Sequence, residues 1–240
     1  MQGPLQLVRG DREYLVQMVD YGTFDPKEGK MDDWMLLWPN EGAKALEGIA
    51  IAKLATAREL DALTKSLSQS LEARQHPVWA VTYPSASSRE PPRLPLPDGQ
   101  LFASPGYLKS ETAYRQSAAL AITRDWIFDD LSSKPLPGLS RPQIQTAWES
   151  PENPLRGVYD LYKGAGMPIL YHSADYSPGS SGGGIFDEKT GKVLGFVPMG
   201  TSFLSRNEAY PGLGQLFRVD VVCRQSKRLR AAGVCAESPS

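Results

Sequence analysis

A serine enclosed by glycines is the part of this sequence most able to do chemistry. Residues 176–184 read YSPGSSGGG, with Ser180 and Ser181 between Gly179 and Gly182. Glycine permits tight turns and leaves backbone N–H groups open to a ligand, and a serine hydroxyl can act as a nucleophile. The segment predicts either a nucleophilic serine or a phosphate-binding loop, and a plain flexible loop is the simpler alternative.

Two of the possible sites do not fit the residues that follow the glycines. A phosphate cradle needs a helix directly after the loop, whereas residues 185–197 predict a β-hairpin. The nucleophile elbow of α/β-hydrolases also needs a following helix, together with a histidine later in the chain. No histidine follows Ser181, so the sequence disfavours both sites.

The same segment resembles the nucleophile motif of chymotrypsin-like serine peptidases. Residues 178–186 (PGSSGGGIF) are similar to the family pattern G-[DNS]-S-G-G-[PG] running into a core strand. The resemblance implies that Ser181 is the nucleophile. It also implies an oxyanion hole made by the backbone N–H groups of Gly179, Ser180 and Ser181, placed where negative charge develops on the attacked carbonyl.

A second match to this family lies on an early strand. Residues 33–37 (DWMLL) are similar to the family strand D-[IW]-[AM]-L-L, whose acid orients the catalytic histidine. Asp33 is preferred to Asp32 because the apolar run starts directly after it. The resemblance implies that Asp33 is the triad acid, and a strand-start aspartate without a catalytic role is the alternative.

The general base of the triad is missing from this pattern. In the family the histidine precedes the aspartate, but the only histidines here are His76 and His172. His76 lacks the neighbours of a subtilisin-type histidine, and His172 is expected to be a wall or core residue. Loss of a triad histidine lowers turnover by about 10⁶-fold, so we expect the chain as written to be inactive or nearly so.

Two explanations of the missing histidine stay open. In the first explanation, the chain is an N-terminal truncation that lacks the opening strands of the first barrel. Alternatively, it is a naturally incomplete relative, a pseudoprotease that binds peptides or proteins. The first implies a trypsin-like serine endopeptidase that hydrolyses peptide bonds through an acyl-enzyme.

The resemblance also implies where a substrate would bind. Asp175 lies six residues before Ser181, at the position that forms the base of the family's primary specificity pocket. A carboxylate there would pair with Lys or Arg of the substrate. Met199, Gly200 and Thr201 would belong to the wall along which the substrate backbone pairs by strand addition.

The elements that must position these residues are mostly short strands. Strands are predicted at residues 6–9, 13–19, 33–38, 48–54, 77–84 and 167–171 and in the hairpin at 185–197, and a loop is predicted at residues 85–105. Thr56 to Glu59 forms a capping box before Leu60, Leu63, Leu67 and Leu71, which predicts a helix. Residues 219–232 predict a second helix.

The expected fold is all-β, a chymotrypsin-like double β-barrel. Its N-terminal barrel is expected to be incomplete, with an interbarrel helix and a C-terminal helix. The predicted divisions are 1–55 for the remnant of the first barrel, 56–75 for the linker helix, 76–218 for the second barrel and 219–240 for the C-terminal helix and tail.

Composition excludes several classes of partner, and the resemblance implies a peptide or protein substrate. The 240 residues are 41% hydrophobic and 22% charged with a net charge of −1, which excludes wholesale disorder and disfavours nucleic-acid binding by bulk charge. No stretch reaches 18 apolar residues, so no transmembrane helix is predicted. Cys223 and Cys235 are too few for a zinc site and are expected to be unpaired.

No metal or cofactor is expected. Disulfide-poor relatives are mostly exported, so the resemblance implies a periplasmic or secreted protein, although residues 1–17 contain no signal peptide.

Overall fold

The computed structural model is mostly β-structure. It describes residues 6–9, 12–28, 30–31, 34–48, 52–69, 76–82, 101–114, 168–174, 182–197 and 214–231, and the single positions 142, 146, 149, 160 and 163. The strands are β1 (Gln6–Arg9), β2 (Arg12–Tyr21), β3 (Phe24–Asp25), β4 (Lys30–Met31), β5 (Met35–Pro39), β6 (Pro77–Thr82), β7 (Phe102–Lys109), β8 (Ile169–His172), β9 (Gly184–Asp187), β10 (Val193–Phe196) and β11 (Gly214–Arg218). The helices are α1 (Ala57–Gln69), α2 (Val219–Gln225) and α3 (Lys227–Ala231), with 3₁₀ turns at Pro26–Glu28 and Gly42–Leu46.

Six strands close into a barrel in the order β10-β11-β8-β7-β6-β9, and the neighbours in it pair antiparallel. Burial alternates along the strands of this barrel. On β6, Val78, Ala80 and Thr82 are buried, and Trp79 is exposed. Because side chains of a strand point to opposite faces in turn, this pattern places every second residue in the barrel interior. The hydrophobic core contains residues of both the barrel and α1. Its barrel residues include Val78, Leu108, Leu170, Ile185, Leu194 and Leu216.

The backbones of β10 and β11 approach each other closely at Gly195 of β10. A Cβ built there would lie 1.9 Å from the carbonyl oxygen of Phe217 on β11. That is far inside van der Waals contact, so only glycine fits this position.

Helix α1 begins at the predicted capping box. The Glu59 carboxylate accepts from the Thr56 backbone N–H at 2.9 Å, and the Thr56 hydroxyl accepts from the Glu59 N–H at 3.3 Å. Leu60 and Leu67 are buried against the barrel. The helix ends at Gln69 among the described residues, so the predicted position of Leu71 lies outside them.

A separate three-stranded antiparallel sheet, β1-β2-β5, precedes the barrel in the chain. On one face Val16 of β2 pairs with Pro39 of β5, and both are buried. Further along, Met18 pairs with Leu37, and both are exposed. The described residues contain one closed barrel, this sheet and a two-stranded sheet of β3 and β4, so the double barrel and the interbarrel position of α1 stay predictions.

Three local expectations differ from the structure. Strand β7 begins at Phe102, inside the predicted loop at 85–105, and its two sides alternate in burial. Of the predicted strand at 48–54, the described part contributes an isolated parallel bridge between Leu54 and Val193. Cys223 is disulfide-bonded, so the expectation that its thiol is unpaired was wrong, and Cys235 lies outside the described residues.

Candidate functional site

The predicted site residues themselves lie outside the described residues. These are Ser181 and Asp33, the oxyanion residues Gly179 and Ser180, and the substrate-binding residues Asp175, Met199, Gly200 and Thr201. The structure does describe the residues that flank each of these segments.

The serine segment enters the barrel wall through a hydrogen-bonded glycine. Gly182, directly after Ser181, has φ of 81°, a conformation that favours glycine. Its N–H donates to the Val197 carbonyl at 2.9 Å, and the Val197 N–H donates to the Gly183 carbonyl at 2.8 Å. The residue after the predicted nucleophile is therefore bonded to the residue before the predicted substrate wall at 198–201.

The residues that precede 175–181 are also bonded to the barrel. Ser173 and Ala174 follow strand β8 and are buried. The Ser173 N–H donates to the Tyr107 carbonyl at 2.9 Å, and the Tyr107 N–H donates to the Ser173 hydroxyl at 2.9 Å. Ala174 packs so closely on Gly106 that a Cβ at Gly106 would lie 2.3 Å from the Ala174 nitrogen. The described residues on both sides of 175–181 are thus bonded to or packed on the barrel.

The residue next to Asp33 is tied to the C-terminal helices. The Trp34 indole N–H donates to the Gln225 side chain, and the Trp34 carbonyl accepts from the Gly22 N–H at 3.0 Å. Nearby, the Ser226 hydroxyl donates to the Asp20 carboxylate at 2.6 Å. This hydrogen bond is the main cause that holds the pKa of Asp20 below its usual value. The strand that starts after Asp33 is therefore anchored to the junction of α2 and α3.

His172 is a core residue, as the sequence predicted. It is 0% exposed at the end of β8, where it pairs with Leu108 of β7. Burial is the main cause that lowers its pKa to about 3, and the neighbouring positive charge of Lys109 contributes to the same shift. A neutral imidazole sealed inside the barrel is disfavoured as a general base, because a general base must lie within hydrogen-bond reach of the proton that it takes.

His76 lies at the wrong end of β6 for the same task. It precedes Pro77, whereas Gly184, where the serine segment leads into β9, pairs with Val81. Five strand residues separate the two positions, a distance of about 16 Å. Its ring lies 3.4 Å from the Ser66 hydroxyl of α1, so neither histidine of the chain is favoured as the base.

The sequence reasoning missed one notable side chain, Lys109 at the end of β7. It is only 7% exposed, and burial lowers its pKa. It breaks the alternation of β7, in which residues 103, 105 and 107 are exposed, so a strand pattern over 102–109 would have predicted an exposed lysine. Among the described residues, no group of three or more His, Cys, Asp or Glu side chains could hold a metal ion. Within the same part of the chain, no helix is long and apolar enough to cross a bilayer.

Comparison with known proteins gives a limited result. No family model and no curated protein matches the chain. The chain is similar to the crystal structure of Rv3671c from M. tuberculosis H37Rv, a serine-to-alanine mutant in the inactive form, with a TM-score of 0.43 and 14% identity over 99% of this chain and 73% of that one. A second structure, of the Rv3671c protease in its inactive form, gives a TM-score of 0.41 and 16% identity over 96% and 73%. Neither similarity is high enough to assign an activity to this chain.

Proposed function

We propose that this chain is a trypsin-like serine endopeptidase domain in which Ser181 is the nucleophile and Asp33 the triad acid. The observation that supports this most is the frame around the serine motif. Ala174 and Gly182, which flank residues 175–181, both lie against a closed antiparallel barrel, a hairpin follows Gly182, and the last barrel strand leads into a helix.

In the proposed reaction the Ser181 hydroxyl attacks the carbonyl of the scissile peptide. The backbone N–H groups of Gly179, Ser180 and Ser181 stabilise the oxyanion, the amine leaves, and water hydrolyses the acyl-enzyme. A histidine must take the serine proton and return it to the leaving amine, oriented by Asp33. With His172 buried and His76 distant, the chain as written is expected to turn over peptides weakly or not at all.

Substrate selection is proposed to depend on Asp175 and on the segment after Val197. A carboxylate at 175 would pair with Lys or Arg of the substrate. Met199, Gly200 and Thr201 follow Val197, whose N–H and carbonyl both bond the glycines after the serine. An extended peptide paired along this segment would therefore place its carbonyl near the nucleophile.

An exported location is proposed with this activity. Disulfides persist in oxidising compartments and are rare in the cytosol. The disulfide at Cys223 supports a periplasmic or secreted protein.

The placement of the two histidines favours a second candidate, a pseudoprotease that binds peptides or proteins in the same cleft. Such a protein would keep the barrel, the anchored glycines and the strand-addition wall. It would differ from the first candidate in having a serine that never reacts.

The two candidates can be separated by supplying the missing base. The full chain is incubated with a fluorophosphonate probe, with and without free imidazole, and labelling is located by peptide mass spectrometry. Imidazole can act as an external general base only where the serine already faces an oxyanion hole. Ser181→Ala should abolish labelling. Ser180→Ala, which keeps the backbone N–H groups, is the matched control and should label like the unaltered chain.

Labelling of Ser181 that rises with imidazole supports the peptidase. Binding of an extended Arg-containing peptide without labelling, measured by fluorescence anisotropy, supports the pseudoprotease. If neither labelling nor peptide binding occurs, both functions are rejected.

A further inference from the structure

A cavity of about 210 Å³ lies between helix α1 and strands β7 and β8. Thr64, Leu67 and Ser68 form its helical side. The strand side includes Ser110, which directly follows β7, and Leu170 of β8. Every lining residue belongs to the part of the chain that the structure describes. The function proposed above uses none of these residues.

The charged side chains around the cavity already have partners. Lys163 donates to the Glu111 carboxylate at 2.8 Å, and both side chains of this ion pair are exposed. Lys109 is likewise not without a partner. An ion that entered the cavity would lose hydration and would meet no unpaired charge of opposite sign, which is unfavourable. The cavity therefore favours a neutral molecule.

Two hydroxyl oxygens of α1 can accept hydrogen bonds from such a molecule. The Thr64 hydroxyl donates to the Leu60 carbonyl at 2.8 Å, and the Ser68 hydroxyl donates to the Lys65 carbonyl at 2.7 Å. A hydroxyl has one proton and two lone pairs, so both oxygens keep acceptor capacity while their protons are already used. Residues four apart share one face of a helix, with Cβ atoms about 5–6 Å apart. The two acceptors therefore lie side by side.

Ser110, on the strand side of the cavity, has the opposite role. Its hydroxyl oxygen accepts from the Ala113 N–H at 3.1 Å, at the start of a turn in which the Tyr114 N–H donates to the Ser110 carbonyl at 2.9 Å. This cap uses the hydroxyl oxygen as an acceptor and leaves its proton able to donate to a ligand. The cavity thus has one donor and two neighbouring acceptors.

A primary carboxamide has the complementary set of groups. Its carbonyl oxygen accepts, and its NH₂ group has two donors. The two N–H bonds diverge by about 120°, so at N···O distances of about 2.9 Å they reach two oxygens about 5 Å apart. A carboxylate has no donor and an alcohol has a single one, so neither can satisfy both hydroxyl oxygens of α1.

The rest of the wall is apolar and limits the size of the ligand. Leu67 and Leu170 are buried, Ile169 is half-buried, and the Tyr171 ring is stacked on Tyr114 with centroids 4.5 Å apart. An apolar cavity of about 150 Å³ accommodates benzene. The cavity here is somewhat larger, so an apolar group of about five or six carbons fits beside one carboxamide.

We propose that this cavity binds a small neutral molecule that joins a primary carboxamide to a compact apolar group. The carboxamide oxygen accepts from Ser110, its NH₂ group donates to Thr64 and Ser68, and the apolar group packs against Leu67 and Leu170. Two sources have this chemistry, a free small amide and the glutamine side chain of a peptide. The proposal does not depend on the peptidase function.

The test is a titration of the isotope-labelled full chain, followed by two-dimensional NMR of its backbone amides. Hexanamide is compared with hexanoate, which is charged and has no donor, and with N,N-dimethylhexanamide, which keeps the carbonyl and has no N–H group. We expect hexanamide to bind with a Kd of about 1 mM, as is reasonable for about eight non-hydrogen atoms, and to shift the amides of Ser68 and Ser110. Both analogues should bind at least about tenfold more weakly.

Substitution of the hydroxyls tests their roles one by one. Thr64→Val keeps the shape of the side chain and removes its hydroxyl, and Ser68→Ala and Ser110→Ala remove the other two. Each should weaken hexanamide binding by about threefold to tenfold. Ser66→Ala removes a hydroxyl of α1 that does not line the cavity, and is the matched control that should bind like the unaltered chain. Unchanged amide signals of the barrel strands show that each variant is folded.

Tighter binding of hexanamide than of N-acetyl-glutamine methylamide identifies a free amide as the ligand, and the reverse order identifies a peptide side chain. The proposal is overturned if hexanamide causes no saturable shift at 10 mM, a concentration of about ten times the expected Kd. It is equally overturned if hexanoate binds as tightly as hexanamide, or if Thr64→Val and Ser68→Ala both bind like Ser66→Ala.

Discussion

Acid should destabilise this protein because His172 is buried in its neutral form. The ring is fully enclosed in the barrel, and its pKa falls from an ordinary 6.5 to about 3. In the unfolded chain the same ring accepts a proton near pH 6.5. Below that pH the unfolded state binds more protons than the folded state, so stability falls as the pH falls.

The size of this effect follows from the two pKa values. Each pH unit between them changes the free energy of unfolding by up to about 1.4 kcal/mol per histidine. Between pH 7 and pH 5.5 the expected loss is about 1.3 kcal/mol. This window lies above the ordinary range of aspartate and glutamate, so their titration contributes little to it.

Urea unfolding at pH 7.0 and pH 5.5 measures the difference. The unaltered chain should lose about 1.3 kcal/mol over this window, and His172→Leu should lose close to nothing, because leucine does not titrate. His76→Gln removes the half-buried histidine and is the control, expected to keep the loss. If His172→Leu shows the same loss as the unaltered chain, the histidine is not buried as described.

Three other substitutions test the packing around the barrel, each by urea unfolding. Asp220→Asn should lower the free energy of unfolding by about 3 kcal/mol, because Asp220 is 5% exposed and is a bidentate partner of the buried Arg218. Asp61 is 70% exposed, so Asp61→Asn should lower the same free energy by less than about 1 kcal/mol. Equal costs would contradict this assignment. Thr56→Ala should cost about 1 kcal/mol through loss of the helix cap, and an unchanged midpoint would show that the capping box is not formed. Gly195→Ala should cost about 3 kcal/mol or more, since its Cβ would lie 1.9 Å from a carbonyl oxygen of β11, and a stable variant would refute that close approach.

Local patterns in the sequence predicted the elements whose signals are short-range. The capping box fixed the start of α1, because both of its hydrogen bonds join residues three apart. The turn after β9 was predicted from its composition. In the structure Asp187 accepts from the Thr190 N–H at 2.7 Å, and Gly191 has φ of 67°. These contacts join residues within one stretch of five, so the local sequence is sufficient to predict the turn.

Features that depend on distant residues could not be predicted in this way. Residues 219–232 were expected to form one helix, but α2 ends at Gln225 and α3 begins at Lys227. The break is at Ser226, whose hydroxyl bonds Asp20, 206 residues away in sequence. The state of Cys223 and the burial of Lys109 likewise depend on tertiary contacts. The serine motif was found by resemblance, and its own geometry lies outside the described residues.

Contacts of the C-terminal helices join the barrel to the three-stranded sheet. Gly182, after residues 175–181, bonds Val197 at the end of β10, whereas Trp34, before β5, bonds Gln225 at the end of α2. Helix α2 leaves the barrel directly from Arg218, which bonds Asp220 within the helix. Helix α2 is therefore a physical link between the barrel and the sheet. Weakening the ion pair at its start should disturb the predicted acid's strand before it disturbs the barrel.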